Sequence, residues 1–403
     1  MIKKPHTFLW AGGIENTFIN HPHPVTGKRL DEYDLTNHYE LWESDLTTLK
    51  TLPINSLRWG IPWYKANPAQ GKFDFDWSER VIDKMLSLGI EPILDLVHYG
   101  TPDWLENSFL HPDYPKRIAD FTEAVLQKLG DRLMYVTPNN EPYTACEFCG
   151  LRGEWPPYGT GDSSFLAIMK QIGKGVVETC RLLQEYKKTA VHVEVASHGF
   201  TVIPELKETA DLYSEKQRLY WDMIMGKIDT RHVLYPWLMQ NGWKDADVES
   251  FSDSPVSVDI MGLNFYPQWS ISEFTTKDNT ADILEPIRLP VLMGAESFKQ
   301  RVADYWIRYK IPIMITETSV YGSIKEKAEW LRDSTAALFE LQKEAVEIVG
   351  YTWFPVIDMI NWDYKIEEGA PEQFLIHLGL YDIARNPYES AIEAFIEVVR
   401  TYG

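Results

Sequence analysis

A closed (β/α)8 TIM barrel, formed by the whole chain as a single domain, is the fold class this α/β sequence predicts. Three observations predict it. Eight short apolar runs alternate with longer amphipathic segments from end to end, and strands separated by helices make right-handed parallel βαβ units. No linker, low-complexity tract or composition shift divides the 403 residues, a length such barrels use as one domain. Polar residues recur where these runs end, and barrels carry their chemistry at the carboxyl ends of the strands. The competing architecture, an open doubly wound sheet, calls for a glycine-rich phosphate loop after its first strand. Here that place reads WAGGIENT, without G-x-G-x-x-G.

The first strand is FLWAGG (8–13), ending near Glu15 and Asn16. A polar, proline-rich loop follows, and residues 36–50 have helical spacing. SLRWGIPW (56–63) is the second strand; residues 77–88 place Val81, Ile82, Met85, Leu86 and Leu88 on one helical face, stopped by Gly89. EPILDLVH (91–98) is the third strand, with a helix over 115–130 opened by Pro115 and closed by Gly130. LMYVTPNNE (133–141) is the fourth, and a long helix over 163–187 takes Asp162 as its N-cap. VHVEVASH (191–198) is the fifth strand, followed by a helix over 213–226. VDIMGLNFY (258–266) is the sixth; the 267–295 stretch reads as a long irregular loop, the mark of a lid or rim. A helix over 296–309 leads to IPIMITETS (311–319), the seventh strand. A well-patterned helix over 323–346 leads to GYTWFPVID (350–358), the eighth. A loop over 361–378 precedes GLYD and a last helix over about 388–401.

Composition narrows the partners. A net charge of -20 and a pI of about 5.0 repel nucleic acid and anionic membrane, so neither is expected. Aromatics make up 13% of the chain, with 15 Trp and 21 Tyr; such side chains stack on the C–H face of a sugar, and equally fill a large core. No run approaches the roughly 20 apolar residues that span a bilayer, and MIKKPHTFLWAGG lacks the apolar run of a signal peptide. Three cysteines, an odd count, make no disulfide framework, so a cytoplasmic protein is expected. Cys146 and Cys149 form one C-x-x-C, which without a second pair reads as reduced structural thiols rather than a zinc site.

Two glutamates stand out. Glu141 ends the fourth strand and Glu317 the seventh, so both project into one barrel mouth. Cleavage of a glycoside with retention needs two carboxyl groups about 5–5.5 Å apart, one a nucleophile and the other an acid and then a base. Asn140 places an amide beside Glu141, where it can bond a sugar 2-hydroxyl, and Pro142 stiffens the turn. Arg58 on strand two can hold a neighbouring glutamate ionised. His98 ends strand three, Asn264 and Tyr266 end strand six, and Trp353 on strand eight offers a stacking floor. Each has a plainer reading: a core arginine, a satisfied barrel histidine, a core tryptophan. Their agreement at the strand ends favours a site, since stability alone seldom asks for a polar ring there.

These motifs together resemble glycoside hydrolase family 1, within the clan of retaining barrel glycosidases, over nearly the whole chain. The run from LRWGIPWYK to LVHYGTPDWL resembles that family's strand-two to strand-three region, and TPNNEP its T-x-N-E-P motif. MGLNFY resembles G-x-N-Y-Y, ITET resembles I-T-E-N-G, and WFPVIDMINWDY with HLGLYD resembles the strand-eight region. The resemblance implies Glu141 as acid/base and Glu317 as nucleophile, with Arg58, Asn264 and Tyr266 orienting the nucleophile. It implies Glu15, His98, Asn140, Trp353, Asn361 and Trp362 as sugar contacts, a carbohydrate substrate, and no metal or organic cofactor. The departures are specific. TPNNEP carries one residue more than the motif, and Thr318-Ser319 replaces Asn-Gly. Glu15 stands where the family has glutamine, and Asn361 where it has glutamate. Lys365 lies beside Glu367 and Glu368, which disfavours phosphate binding there. The expectation is a retaining β-glycosidase, β-glucosidase- or β-galactosidase-like. The alternatives are a sugar-binding protein without turnover, or a transglycosylase. The sequence carries no signal of oligomeric state.

Overall fold

The computed structural model describes residue 5, residues 7–276 and residues 286–403. Eight parallel strands close into a barrel: β1 Leu9–Gly13, β2 Ser56–Gly60, β3 Glu91–Asp95, β4 Tyr135–Thr137, β5 Thr189–Val195, β6 Ile260–Asn264, β7 Ile313–Thr318 and β8 Ile348–Trp353. Each strand pairs with its sequence neighbours, and β1 closes the ring on β8. Successive side chains of a strand alternate between the two faces. Inward, Leu9, Ala11, Ile93, Val191, Ile260, Met314 and Val349 pack against one another inside the barrel. Outward, Leu57, Trp59, Leu94, Leu263, Ile315 and Tyr351 join the apolar stripes of the helices. Strand β2 adds nothing apolar to the inner cluster. With Leu57 and Trp59 facing out, its inward positions are Ser56 and Arg58. The barrel therefore changes from oil to charge at the level of Arg58, and the site begins there.

The helices α1 His38–Leu49, α2 Asp76–Ser87, α3 Tyr114–Leu129, α4 Gly161–Glu185, α5 Lys207–Lys216, α6 Ala295–Tyr309, α7 Ile324–Lys343 and α8 Glu389–Tyr402 surround it. Helix α2 buries Val81, Ile82 and Met85 of the face its spacing predicts, whereas Leu86 of that set is exposed. Helix α7 starts where Ser323 and Glu326 cap each other: the Glu326 amide donates to the Ser323 hydroxyl, and the Ser323 amide to the Glu326 carboxylate at 2.6 Å. Among the described residues no helix is long and apolar enough to cross a membrane.

Three local expectations change. Asp162 lies inside the first turn of α4 and does not cap it; Thr160 holds the cap position. The Asp162 carboxylate is taken instead by the Trp237 indole at 2.6 Å and Lys216 at 3.4 Å. The helix over 213–226 is broken, α5 ending at Lys216 and a second helix running Leu219–Ile224. The 267–295 stretch holds regular structure. Ile271–Thr276 pairs antiparallel with Pro286–Pro290 and parallel with His198–Phe200, a small sheet above the ends of β5 and β6. Residues 277–285 of that stretch lie outside the described residues.

Candidate active site

Arg58 is the hub. It is fully buried, and a buried guanidinium requires charge and hydrogen-bond partners. Its Nη1 donates to Glu317 Oε1 at 2.6 Å and to the Thr316 carbonyl at 3.1 Å. Its Nη2 donates to Asp95 Oδ2 at 2.6 Å and to Asn140 Oδ1 at 3.0 Å. Asp95 in turn receives His98 Nδ1 at 3.3 Å. Burial alone would raise the Asp95 carboxyl, but Arg58 and His98 hold it below its ordinary value. Burial pulls His98 down, and Asp95, Glu15 and Glu317 more than offset this, so it lies above its ordinary value.

Glu317 reaches the mouth through an irregularity in β7. Ile315 pairs with Leu263 of β6, yet the next partners are Glu317 and Asn264. Strand β7 thus advances two residues where β6 advances one, a bulge. Alternation would turn one of Thr316 and Glu317 outward; the bulge lets both face in. Thr316 Oγ1 donates to Asn264 Oδ1 at 2.7 Å while Glu317 meets Arg58. Tyr266 donates its hydroxyl to Glu317 Oε2 at 2.7 Å. Burial pushes the Glu317 carboxyl up to about 7; Arg58 opposes this and Glu141 adds to it.

Glu141 follows a short β4. The bend after Thr137 is strapped to both flanks, Asn140 N donating to the Val97 carbonyl at 2.8 Å and Glu141 N to the Val193 carbonyl at 3.2 Å. This bend accommodates the additional residue of TPNNEP. Glu141 has a φ of 39°, in the left-handed region where side chains are strained, a conformation found at functional sites. Asn264 Nδ2 donates to Glu141 Oε1 at 2.7 Å and the Tyr99 hydroxyl to Oε2 at 2.5 Å. Behind them Glu194, fully buried, accepts from the amides of Tyr143 at 2.8 Å and Val195 at 2.9 Å. Burial, and then Glu141, raise that carboxyl well above its ordinary range.

These groups open into a cleft of about 440 Å³. Of the residues singled out in the sequence, Glu15, His98, Glu141, Tyr266, Glu317, Asn361 and Trp362 line it. Arg58, Asn140 and Asn264 form the layer beneath, each fully buried. Trp353 is not brought to the cleft. Tyr351 faces out to Ser334 of α7, and two residues on Trp353 faces the same way, fully buried, its indole donating to the Leu378 carbonyl at 3.1 Å. Phe354 turns inward instead, buried below the cleft, its ring stacked 6.2 Å from His98 and beneath the Arg58 guanidinium. Lys365 is turned away, its ammonium donating to the carbonyls of His21 at 2.6 Å, Lys28 at 3.3 Å and Ile19 at 3.4 Å. Cys146 and Cys149 are buried free thiols, and burial raises both. Among the described residues no cluster of three or more His, Cys, Asp or Glu side chains could hold a metal.

Sequence reading missed Tyr99, Asp95, Glu194 and the wall of Tyr213, Trp269 and Arg288 on the far side of the cleft. Asp95 and Tyr99 were findable: both lie within or just after strand three, flanking His98. The wall was not, because its members come from separate elements, Tyr213 from α5, Trp269 from the turn after β6 and Arg288 from the Pro286–Pro290 strand.

Replacing Arg58 tests the hub. Arg58→Met leaves Asp95 and Glu317 buried without their cation, a loss of about 3–5 kcal/mol by urea denaturation at pH 7. The deficit shrinks at lower pH. A carboxyl whose folded value lies above its unfolded one takes up a proton on folding, so its cost is relieved as pH falls.

Comparison with known proteins fits this geometry. The family model described as glycosyl hydrolase family 1 matches residues 11–377. The bifunctional β-D-glucosidase/β-D-fucosidase of Bifidobacterium breve is 32% identical over 400 residues, covering 87% of this chain and 85% of the relative. Rice β-glucosidase 12 (Oryza sativa subsp. indica) is 26% identical over 440 residues, covering 93% and 84%. A family 1 β-glucosidase from Thermotoga maritima superposes with a TM-score of 0.82 at 17% identity, covering 100% of both chains. The same organism's β-glucosidase in complex with castanospermine gives 0.83 at 17% identity, covering 100% of this chain and 99% of that one.

Proposed function

The chain belongs to glycosyl hydrolase family 1 and is a β-glycosidase, and from that premise we propose that it works by retention, with Glu317 as nucleophile and Glu141 as acid/base. One observation carries the reading: two buried carboxyls in one cleft have different partners. Glu317 holds the cation Arg58 and the Tyr266 hydroxyl, whereas Glu141 holds only the neutral donors Asn264 and Tyr99. A neighbouring guanidinium favours the charged form. Arg58 therefore fits Glu317 for the charged, attacking role, and the absence of a cation among the described partners of Glu141 leaves that carboxyl the proton-donating one.

The steps follow. Glu317 attacks the anomeric carbon while Glu141 gives its proton to the glycosidic oxygen, and the bond to the aglycone breaks. A glycosyl-enzyme remains on Glu317. Glu141, now a carboxylate, takes a proton from water, the water attacks the same carbon, and the sugar leaves with its configuration retained. At the inner end of the cleft, Glu15 spends Oε1 on Thr17, leaving Oε2 as a sugar acceptor. Asn361 spends Oδ1 on the Asp363 amide, leaving its NH2 as a donor. An acceptor and a donor suit the outer hydroxyls of a glucose- or galactose-configured glycone, and the name of the Bifidobacterium relative adds the fucose-configured one. The whole chain, 1–403, acts as one catalytic domain on this reading, and three free thiols suit the reducing cytoplasm.

The test is release of nitrophenol from a panel of α- and β-linked aryl glycosides. Cleavage of β-linked members with retained configuration is expected; inversion, or cleavage of α-linked members, would overturn the proposal. The pH profile adds a second check. Glu317 must be ionised to attack, and burial lifts it to about 7. The profile of kcat/KM is expected to fall as pH drops through about 7, an acid limb that belongs to the coupled pair.

A further inference from the structure

We propose that Tyr99 is a positioning residue for the acid/base, holding Glu141 as an acceptor and thereby setting the alkaline side of the activity profile. The inference rests on the assignment of Glu141 as acid/base. It comes from the hydrogen-bond directions of the buried network around Glu141.

Arg58 has donors only, so the atom of Asn140 that it touches at 3.0 Å must be Oδ1. The Asn140 amide nitrogen then faces the other way, 3.0 Å from the Tyr99 oxygen, and must donate to it. The phenol accepts there, so its own proton points to Glu141 Oε2 at 2.5 Å. On the other side, Thr316 Oγ1 donates to Asn264 Oδ1 at 2.7 Å. In that orientation the Asn264 nitrogen donates to Glu141 Oε1 at 2.7 Å. Both Glu141 oxygens therefore meet donors, an arrangement that suits the carboxylate, the form that acts as a base toward water. To serve as the acid, Glu141 must carry a proton into the place of one of them. Turning the Asn264 amide would exchange both its ends and its bond to Thr316, whereas a phenol proton moves by rotation about one bond. Tyr99 is the partner that gives way.

The residue is built to hold that phenol in place. Tyr99 has a φ of 74°, left-handed for a bulky side chain, and is 2% exposed. Its ring is wedged edge-on to His98 at 4.6 Å and Trp362 at 5.3 Å, with Trp155 at 5.3 Å. Burial, and then the Glu141 charge, push the phenol well above its ordinary value, so it remains a donor. Neither burial nor packing requires the hydroxyl: a phenylalanine fills the same wedge.

A donor to the charged form of an acid lowers the pH at which its proton is lost. Tyr99→Phe removes only the donor, and the alkaline limb of kcat/KM on an aryl glycoside of poor leaving group is expected to move up by about one pH unit. Site-specific 3,5-difluorotyrosine at position 99 makes a stronger donor and is expected to move the limb down. A limb that stays put in both variants overturns the proposal, as does a Tyr99→Phe enzyme changed only in KM, which marks a substrate contact. If Tyr99→Phe does not fold, the difluorotyrosine enzyme decides alone. Glu141→Gln run beside them separates the two readings. Loss of its alkaline limb upholds Glu141 as the acid whatever Tyr99 does; an alkaline limb that survives in Glu141→Gln overturns that assignment and this inference with it.

Discussion

Glu317→Gln leaves a folded protein whose kcat on activated aryl glycosides is lower by at least about 10⁴-fold. The fold persists because glutamine has nearly the same shape. Its carbonyl oxygen still accepts from Arg58, and its amide can donate to the Tyr266 oxygen, so neither buried partner is orphaned. The chemistry does not persist, because an amide oxygen forms no stable ester with the anomeric carbon. A 2-deoxy-2-fluoro glycoside with a good leaving group gives a direct readout in the unaltered enzyme. Mass spectrometry should find one sugar on the peptide holding Glu317. Near-normal turnover by the glutamine variant, or a label on another residue, would remove Glu317 from the role.

The second large effect belongs to Glu141→Ala and depends on the leaving group. With nothing to protonate the departing oxygen, kcat/KM on glycosides of poor leaving groups is expected to fall by about 10²–10⁴-fold. Dinitrophenyl glycosides leave without help and still form the glycosyl-enzyme, which then accumulates because no base activates water. Azide needs no base, and the space left by the missing carboxylate admits it. Added azide is expected to restore turnover and yield a glycosyl azide of β configuration, seen by NMR. An equal fall across all leaving groups, with no azide rescue, would show that Glu141 only supports the structure.

Much of this was legible in the residues, and the reason is periodicity. A parallel barrel strand is a short apolar run that ends in the mouth. Reading polar residues at eight run ends therefore found Glu141, Glu317, Arg58, His98, Asn264 and Tyr266 before any coordinates. What escaped depended on facing and partnership. Trp353 fits a stacking floor by type and place, but its parity with Tyr351 sends it outward, and Phe354 is the ring that turns in toward His98. The pairing of Ile271–Thr276 with His198–Phe200 joins segments about 70 positions apart, each too short to show a period. Tyr99 was not singled out beside His98; the direction of three hydrogen bonds gives its hydroxyl a purpose. Lys365, its neighbouring glutamates already disfavouring phosphate, is held away by three backbone carbonyls that no sequence pattern announces.

The bulge in β7 makes the reactive carboxylate a matter of residue count. Loops at the barrel mouth can gain or lose residues while the strands keep their pairing, and binding preference can drift with them. Between Ile313 and Glu317 there is no such latitude. Deleting Thr316 would restore regular pairing, Ile315 with Leu263 and Glu317 with Asn264, and put the carboxyl where the Thr316 side chain now meets Asn264 and Gly262. Inserting a residue would rotate it toward the helices. In a lineage built on this barrel, specificity is inherited as a set of variable lengths, and chemistry as one length that selection cannot edit.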